Sequence, residues 1–509
     1  MLGVAVCLAG CNSTPLQKRA WVEVQTPHYD VVSSLGDART AALARDLESF
    51  RRAAEYVFER QIPPARIRTR VYAMDDRGFD KKFAVRNQSG YLLPRLRGDV
   101  IVLRAGGGWA EDASTELKLR YARRLFRSAG ALDLPPWYGE GFARLASTLV
   151  IAGDRAHVGI LDDDHVRRLK RSNWVGVQRV LEASSLAGWS DADREMFDLE
   201  SWAIAHYIAV GSRGSSGSED LRGSYLASIG AGAGGIGAGA GGIGVGAGGI
   251  GAGDSRVRVT SEVSEVSEVL GGDFGRRVRK YATAGTLDSL TVGLGMEAEE
   301  TRSRTRALAL PEVLAELGRL SLALERAKQA KQFFWDAASR GPQTADLWAG
   351  TGSALALMDD WTSAHRHFMK ALEIDARDPM IHLDYGNALR ARAEGTQDGA
   401  ERLSLVGQSR DHYRESLELD EVIAESHAML AASYLIEGPA AAGLTHVDRA
   451  LALVPASLRA RLLRGRLRLR EGDRLAARID TEAILTRARA GKDIRAARAL
   501  LAEIGSSGS

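Results

Sequence analysis

Cysteine is almost absent from this chain of 509 residues, because only Cys7 and Cys11 occur and both lie near the N-terminus. The body of the protein therefore has no disulfide and no thiolate with which to hold a metal. An excess of charge of either sign is also absent, since 68 basic residues stand against 65 acidic ones. Such a balance gives no general attraction to nucleic acid, and we expect no nucleic-acid partner.

Further absences bear on catalysis and on membranes. No histidine occurs between His28 and His157. The sequence has no Gly-x-Ser-x-Gly segment, which would place a nucleophilic serine on a sharp turn, and no cysteine nucleophile in its body. After the N-terminal segment, no apolar run has the length needed to span a bilayer. These absences exclude the commonest hydrolase nucleophiles and a membrane-spanning body.

The first residues resemble the end of a bacterial lipoprotein signal. Residues 2–10 are apolar and end in Leu8-Ala9-Gly10-Cys11, after which polar residues follow. Small residues before the cysteine suit cleavage by a signal peptidase. The resemblance implies a signal segment at 1–11, a linker at 12–20 and a lipid on Cys11. It also implies a periplasmic body anchored to a membrane, and Asn12 favours the outer membrane.

The length of the chain favours two or more domains. Alternating residues predict strands at Trp21–Thr26 and Tyr29–Ser34, and Asp37 begins an amphipathic helix that runs through Arg60. Further strands are predicted at Arg66–Met74 and Asp99–Leu103, and the pattern becomes helical from Glu111. This order indicates an α+β domain over residues 21–285. Within it, residues 229–253 repeat a glycine-rich unit, which is typical of a low-complexity surface loop.

A repeat of 34 residues dominates the C-terminal part. Small residues recur at repeat positions 8 and 20, and large apolar residues recur at positions 4, 7 and 24. This pattern resembles the tetratricopeptide repeat (TPR), in which two helices cross closely at the small residues. It predicts an all-α superhelical solenoid at 311–491, with a linker at 286–310 before it, an insertion at 393–405, and a capping helix and tail at 492–509. The five repeats begin at Pro311, Ala345, Pro379, Ala424 and Leu458.

The resemblance implies a concave face built by the first helix of each repeat, with inward side chains near positions 2, 5, 9 and 12. We expect this face to bind a protein or peptide partner. The arginines of the last repeat are either a site for an acidic partner or a solvated face. The predicted binding residues are Arg319, Asp346, Ser353, Met380, Leu383, Asn387, Arg390, Arg459, Leu462 and Arg466, with Ala428 and Ala432 in the same rows.

The domain at 21–285 resembles a bacterial peptidase MA-like domain related to the gluzincin metallopeptidases. The segments that carry the resemblance are Gly90-Tyr91, the strand 100–103, Pro136-Trp137-Tyr138-Gly139-Glu140-Gly141, residues 200–207, Phe274-Gly275 and Lys280-Tyr281. The resemblance implies a zincin-like fold. In working members of the family, His-Glu-x-x-His on an earlier helix and the glutamate of the Trp-x-x-Glu-Gly motif bind zinc.

In this chain the two histidines are missing. The matching helix has Thr115 and Leu119 in their places, and only Glu116 and Glu140 remain. Two carboxylates do not replace three ligands around an open zinc position. We therefore expect vestigial carboxylates at Glu116 and Glu140, no zinc, no other metal and no cofactor.

Three hypotheses follow. The first is a lipid-anchored adaptor or scaffold of the cell envelope, with a catalytically inactive peptidase-like domain and a TPR array that holds a partner. The second is a divergent metal-dependent hydrolase that retains Glu116 and Glu140 with unidentified further ligands. The third is a structural envelope component without a defined ligand.

Overall fold

The computed structural model describes residues 16–75, 79, 82–84, 88–105, 109, 113–129, 134–160, 163–214, 221, 272–284, 287–296, 302–489 and 491–506. The predicted signal segment with Cys11 and the glycine-rich stretch 229–253 lie outside these residues. The described chain consists of an α+β region with a mixed sheet, followed by a long all-α repeat region that resembles a TPR array. Among the described residues, no helix is both long and apolar enough to cross a membrane.

A six-stranded mixed sheet organises the N-terminal region. Its strands are β1 (Trp21–Gln25), β2 (Tyr29–Ser33), β3 (Thr69–Met74), β4 (Gly90–Leu93), β5 (Val100–Arg104) and β9 (Arg304–Leu308). The strand order is β4-β5-β3-β2-β1-β9. The pairs β2–β3 and β3–β5 are parallel, and the other pairs are antiparallel.

Strand β9 lies within the segment 286–310 that the sequence predicted as a linker. It pairs with the whole of β1, from Trp21 opposite Leu308 to Gln25 opposite Arg304. A second, three-stranded antiparallel sheet consists of β6 (Val150–Ala152), β7 (Arg155–Val158) and β8 (Leu290–Gly293). The segment before the repeats is therefore part of the N-terminal fold, because it supplies a strand to each of its sheets.

Seven α-helices of this region have bounds within the described residues. Helix α1 (Asp37–Phe58) confirms the predicted amphipathic helix, and most of its apolar side chains are buried in the main core. The others are α2 (Thr115–Ser128), α3 (Pro136–Ser147), α4 (Asp163–Arg171), α5 (Val177–Glu182), α6 (Asp191–Ala209) and α7 (Phe274–Ala282). Helix α3 packs against α6, where Gly141 of α3 faces the backbone of Ser201.

The repeat region confirms the predicted helix pairs. In the first three repeats the two helices cross where the glycine at position 8 meets the aromatic residue at position 24. A methyl group added at Gly318 would lie 2.7 Å from Phe334, and one added at Gly386 would lie 2.7 Å from Tyr413. The helices are α8 (Leu310–Ala323), α9 (Ala327–Ala338), α10 (Ala345–Ala356), α11 (Trp361–Ile374), α12 (Pro379–Gly395), α13 (Gly399–Leu419), α14 (Ala424–Ile436), α15 (Ala440–Leu453), α16 (Leu458–Arg470), α17 (Arg474–Arg487) and α18 (Gly491–Ser506).

The insertion predicted at 393–405 is helical except at residues 396–398. It lengthens both helices of the third repeat, because α12 continues to Gly395 and α13 begins at Gly399. The two longer helices line a cavity of about 350 Å³ together with Trp361 and Phe368 of α11.

The repeat array and the N-terminal region share a buried core. Tyr72 and Tyr91 of the sheet belong to the same apolar cluster as Leu317 and Phe334 of the first repeat. The last repeat also contacts the N-terminal region, since Arg194 of α6 donates to the carbonyl of Leu485 over 2.9 Å. The N-terminal region therefore contacts the array at both ends of the array. The loop between β4 and β5 makes a third contact, at the third and fourth repeats.

A buried carboxyl in α6 gives a prediction about pH. Glu200 is fully buried and accepts hydrogen bonds from the backbone N–H groups of Val175 (2.6 Å) and Gly176 (3.2 Å). Burial raises the pKa of Glu200 to about 7, although these hydrogen bonds favour the ionised form. The carboxyl therefore contributes stability that is complete below its unfolded pKa of about 4.3, and that is lost as pH rises through about 7.

We expect Glu200→Gln to raise the free energy of unfolding at pH 8 by about 1–3 kcal/mol, because glutamine keeps an acceptor and has no charge to bury. The gain should shrink at pH 5, where the native carboxyl is protonated. Urea denaturation at both pH values measures the difference. Glu195→Gln is the matched control, since Glu195 lies on the same helix with an exposed side chain. A gain that is equal at the two pH values would contradict the explanation.

Candidate functional site

The loop between β4 and β5 lies on the inner face of the repeat array. It comprises residues 94–99, and its sharp turn uses Gly98 with a φ of +97°, a conformation that favours glycine. Asp99 braces the loop, because one of its oxygens accepts from the Arg95 N–H (3.2 Å) and the other from Arg124 Nε (2.6 Å). The loop is therefore a rigid projection, which we call the β4–β5 loop.

Arg97 at the tip of the β4–β5 loop binds two acidic side chains of the array. Its Nε donates to Glu425 Oε2 over 2.7 Å, and its Nη2 donates to Asp384 Oδ1 over 2.7 Å and to Glu425 Oε1 over 3.3 Å. Burial of Glu425 opposes its ionisation, but the Arg97 guanidinium holds the pKa of that carboxyl below its usual range. The three side chains form an ion-pair cluster between α12, α14 and the loop.

The neighbouring Leu96 fills an apolar site on the same face. Leu96 is 7% exposed and belongs to one cluster with Leu383, Ala428 and Met429 of the array, of which Leu383 is fully buried. The inner face at the third and fourth repeats thus receives an apolar side chain and a guanidinium from one loop. A foreign peptide would have to displace the β4–β5 loop to occupy this stretch.

The predicted inner-face residues divide into three groups. Leu383, Met380 and Leu462 pack with apolar side chains that include residues of the N-terminal region. The side chains of five others contact residues of the array itself. Ser353 is partly exposed, and Arg466 is exposed. The five engaged residues are Arg319 and Asp346, which pair with each other, Asn387, which accepts from Tyr413 Oη, Arg390, which pairs with Glu394, and Arg459, which contacts Met429.

The sequence interpretation missed Arg97, Asp384 and Glu425. A signal existed for Glu425, because it occupies the inward position 2 of the fourth repeat. Asp384 occupies position 6, which the repeat pattern did not assign to the inner face. Nothing in the sequence around Arg97 links it to side chains that lie 287 and 328 residues further along the chain.

Glu140 occupies a second charged cluster, in which arginine side chains surround it. Arg123 of α2 binds both of its oxygens (2.5 and 2.9 Å), and Arg144 adds a contact of 2.7 Å. Arg489, from the loop after α17, contacts Glu140 at 3.5 Å and binds Asp198 at 2.8 Å. Burial opposes ionisation of Glu140, yet the guanidinium groups of Arg123, Arg489 and Arg144 hold its pKa far below the usual range.

The two carboxylates that the gluzincin resemblance singled out, Glu116 and Glu140, lie in different surroundings. Glu116 is exposed and forms an ion pair with Arg120 one turn away on α2 (2.6 Å). The α2 side chain that meets Glu140 is Arg123, four residues beyond Leu119, which was matched to the second zinc histidine. Glu116 and Glu140 therefore belong to separate ion-pair clusters. Within the residues that the structure describes, no group of three or more His, Cys, Asp or Glu side chains is arranged to hold a metal.

Comparisons with known proteins found similarity to solved structures, and several of these matches cover about two fifths of this chain. No protein-family model matches the chain. No curated protein sequence matches it. Two bacterial TPR-region neighbours are a TPR protein of Thermus thermophilus (17% identity, TM-score 0.35, covering 38% of this chain and 99% of that one) and Pseudomonas aeruginosa PilF (18%, 0.31, covering 39% and 89%).

A third solved structure, yeast Tom70, is 11% identical with a TM-score of 0.32, and the match covers 76% of this chain and 88% of that one. These values are low, and the description of the repeats rests on the helix pairs themselves. The comparisons give no support to a gluzincin-like, zincin-type N-terminal domain. The C-terminal part of the chain has TPR proteins as its structural neighbours.

Proposed function

We propose that this chain is a non-catalytic protein-binding scaffold of the bacterial envelope. A lipid on Cys11 would hold the protein at a membrane, and we propose that this is the outer membrane. The observation that carries the proposal is the binding of the β4–β5 loop to the inner face of the third and fourth repeats. The inner face of the array already binds a polypeptide segment there, through an apolar site for Leu96 and two carboxylates for Arg97. Recognition of one apolar and one charged anchor is typical of peptide-binding grooves.

The environment of Glu140 supports a scaffold more than an enzyme. A zinc ligand must offer a lone pair to the metal, but both Glu140 oxygens accept from guanidinium groups. The surrounding positive charge would also repel a divalent cation. The alternative, a metal-dependent hydrolase that retains Glu116 and Glu140, requires those two carboxylates to act together, and their separate ion pairs do not favour it. No catalytic zinc and no cofactor are part of this proposal.

A partner reaches the array at inward positions that the N-terminal region does not cover. Ser353 in the second repeat is partly exposed, and Arg466 in the fifth repeat is exposed. Along the array, these positions lie on either side of the third and fourth repeats, which the β4–β5 loop contacts. We propose that a protein partner binds here, with the N-terminal region held in the middle as a fixed part of the scaffold.

Site-specific photo-cross-linking in living cells tests this function. A photoreactive residue at position 353 or 466 of the full-length chain should give discrete protein adducts in the membrane fraction. The same residue at position 370 is the matched control, because Lys370 lies exposed on α11, the second helix of its repeat. Cys11→Ser should release the adducts from the membrane. Equal adducts from all three positions, or none from 353 and 466, would refute the proposed binding face.

A further inference from the structure

Two histidine pairs lie at equivalent places in the third and fourth repeats. His382 Nδ1 is 3.0 Å from His412 Nδ1, and His427 Nδ1 is 3.2 Å from His446 Nδ1. Each pair joins the first helix of its repeat to the second, α12 to α13 and α14 to α15. In both pairs the same ring atoms face each other, so one arrangement occurs twice.

The repeat pattern explains this equivalence. Both pairs occupy repeat positions 4 and 23. The same positions hold Leu314 and Phe333 in the first repeat, Trp348 and His367 in the second, and Arg461 and Asp480 in the fifth. The Arg461–Asp480 pair is an ion pair of 3.4 Å, and the Trp348 and His367 rings pack with centroids 5.2 Å apart. Positions 4 and 23 thus meet in the second to fifth repeats, and the chemistry of the contact depends on the residues that fill them.

Backbone contacts orient the first-helix histidine of each pair. His382 Nε2 lies 3.1 Å from the Ala376 carbonyl, and His427 Nε2 lies 3.1 Å from the Glu421 carbonyl. A carbonyl only accepts, so each Nε2 carries the proton and the neutral ring turns its Nδ1 lone pair toward the second histidine. Metal-binding histidines commonly have their other ring nitrogen held by a carbonyl in this way.

From this geometry we infer that His382 with His412, and His427 with His446, are two bidentate sites for a divalent transition-metal ion such as Zn²⁺. Two imidazole nitrogens at about 2.0–2.1 Å from one tetrahedral ion stand about 3.3–3.4 Å apart. The observed separations differ from that value by a few tenths of an ångström. Water would fill the remaining coordination positions, since each site has two protein ligands.

The chemistry of the donors selects the ion. Imidazole favours Zn²⁺, Ni²⁺ and Cu²⁺, whereas Mg²⁺ and Ca²⁺ require oxygen ligands. The sites are independent of Glu140 and of the proposed function.

Each bound ion would tie one of the two helices that hold Arg97 to the second helix of the same repeat. Asp384 lies two residues after His382 on α12, and Glu425 lies two residues before His427 on α14. A metal that links α12 to α13 and α14 to α15 would therefore stiffen the part of the array on which the β4–β5 loop rests. The inferred role is structural, and it requires no reaction at the metal.

Zinc titration of the metal-free full-length protein by calorimetry tests the inference. The wild-type chain should bind about two zinc ions more than the double variant His412→Gln/His446→Gln, and each single variant should lose about one. The melting temperature should rise with zinc in the wild type and lose that rise in the double variant. Mg²⁺ should produce neither effect. Cu²⁺ should give an electron paramagnetic resonance spectrum with imidazole nitrogen ligands in the wild type only.

His367→Gln is the matched control, because His367 occupies position 23 opposite Trp348, which is not a ligand. It should bind as much zinc as the wild type. The melting temperatures of all variants without zinc show whether a loss of binding reflects misfolding, and His382→Gln/His427→Gln provides a second route to the same loss. Equal zinc stoichiometry in the wild type and both double variants, or no zinc binding by the wild type, would overturn the inference.

Discussion

Arg97→Ala should lower the free energy of unfolding by about 3 kcal/mol, near the lower end of the cost of breaking a buried ion pair. The reason is the charge that it leaves behind. Glu425 has a side-chain exposure of 8%, and Arg97 is its closest cationic partner. Without the guanidinium, Glu425 and Asp384 face each other across a site from which most water is excluded. Chemical denaturation at pH 7 measures the loss.

The matched control is Arg120→Ala, which removes another arginine from a close ion pair. Its partner Glu116 lies in water, with side-chain exposures of 48% and 56% for the two residues. Exposed pairs of this kind contribute about 0.2–1 kcal/mol. A loss in Arg97→Ala no larger than that in Arg120→Ala would contradict a buried cluster between the loop and the array.

A double variant separates the ion pair from the packing of the loop. Glu425→Gln removes the charge that Arg97 neutralises, so the loss in Arg97→Ala/Glu425→Gln should be smaller than the sum of the two single losses. Amide hydrogen exchange should also rise in α12 and α14 of Arg97→Ala, where the loop rests, and remain unchanged in α9. Exchange that rises evenly along the array would indicate that the whole protein is destabilised, and not that the β4–β5 loop alone has lost its contact with α12 and α14.

Gly141→Ala should lower the free energy of unfolding at least as much as Arg97→Ala, because the added methyl group meets backbone atoms and not a movable side chain. It would lie 2.2 Å from the Ser201 carbonyl oxygen, 2.8 Å from the carbonyl carbon and 2.9 Å from Ala205 Cβ. Helices α3 and α6 would have to separate, and tightly packed interiors resist such a shift. We expect a loss of more than about 3 kcal/mol, or a chain that does not fold, in thermal and urea denaturation.

Gly407→Ala supplies the control for helix propensity. Gly407 lies inside α13, and a methyl group there would meet nothing within 4 Å. Alanine should therefore stabilise the protein by about 0.5–1 kcal/mol. Opposite signs for the two substitutions would show that the crossing of α3 and α6 depends on the absence of a side chain at position 141. A mild loss in Gly141→Ala would mean that the helices lie further apart.

Local and periodic features of the fold could be predicted from the sequence. Helix α1 was predicted as 37–60 and ends at Phe58, and the glycines at position 8 face the aromatic residues at position 24 in the first three repeats. Such features depend on residues near in sequence or on a pattern that recurs. The period of the pattern shows which side of a helix is buried, but not what covers it.

The features that the sequence did not predict join distant parts of the chain. Leu383 was assigned to the inner face, yet its neighbour there is Leu96 of the protein's own β4–β5 loop. Likewise, no local pattern pairs Glu140 with Arg489, which lies 349 residues away. The contact of Glu140 with Arg123 of α2 was not predicted either, because no local pattern relates the two helices. Ion pairs between distant segments form only when the tertiary fold forms.

The position of β9 has a consequence for a chain cut off before the repeats. Strand β1 pairs with β9 on its outer side, although most of the N-terminal region separates the two strands in the sequence. Strand β1 is buried along nearly its whole length, whereas the outermost strand β9 is exposed. A chain that ends before residue 304 would therefore replace an exposed edge strand by an apolar one, and such an edge invites pairing with other chains. Because α8 begins at Leu310, directly after β9, the strand that covers β1 and the first repeat belong to one continuous segment.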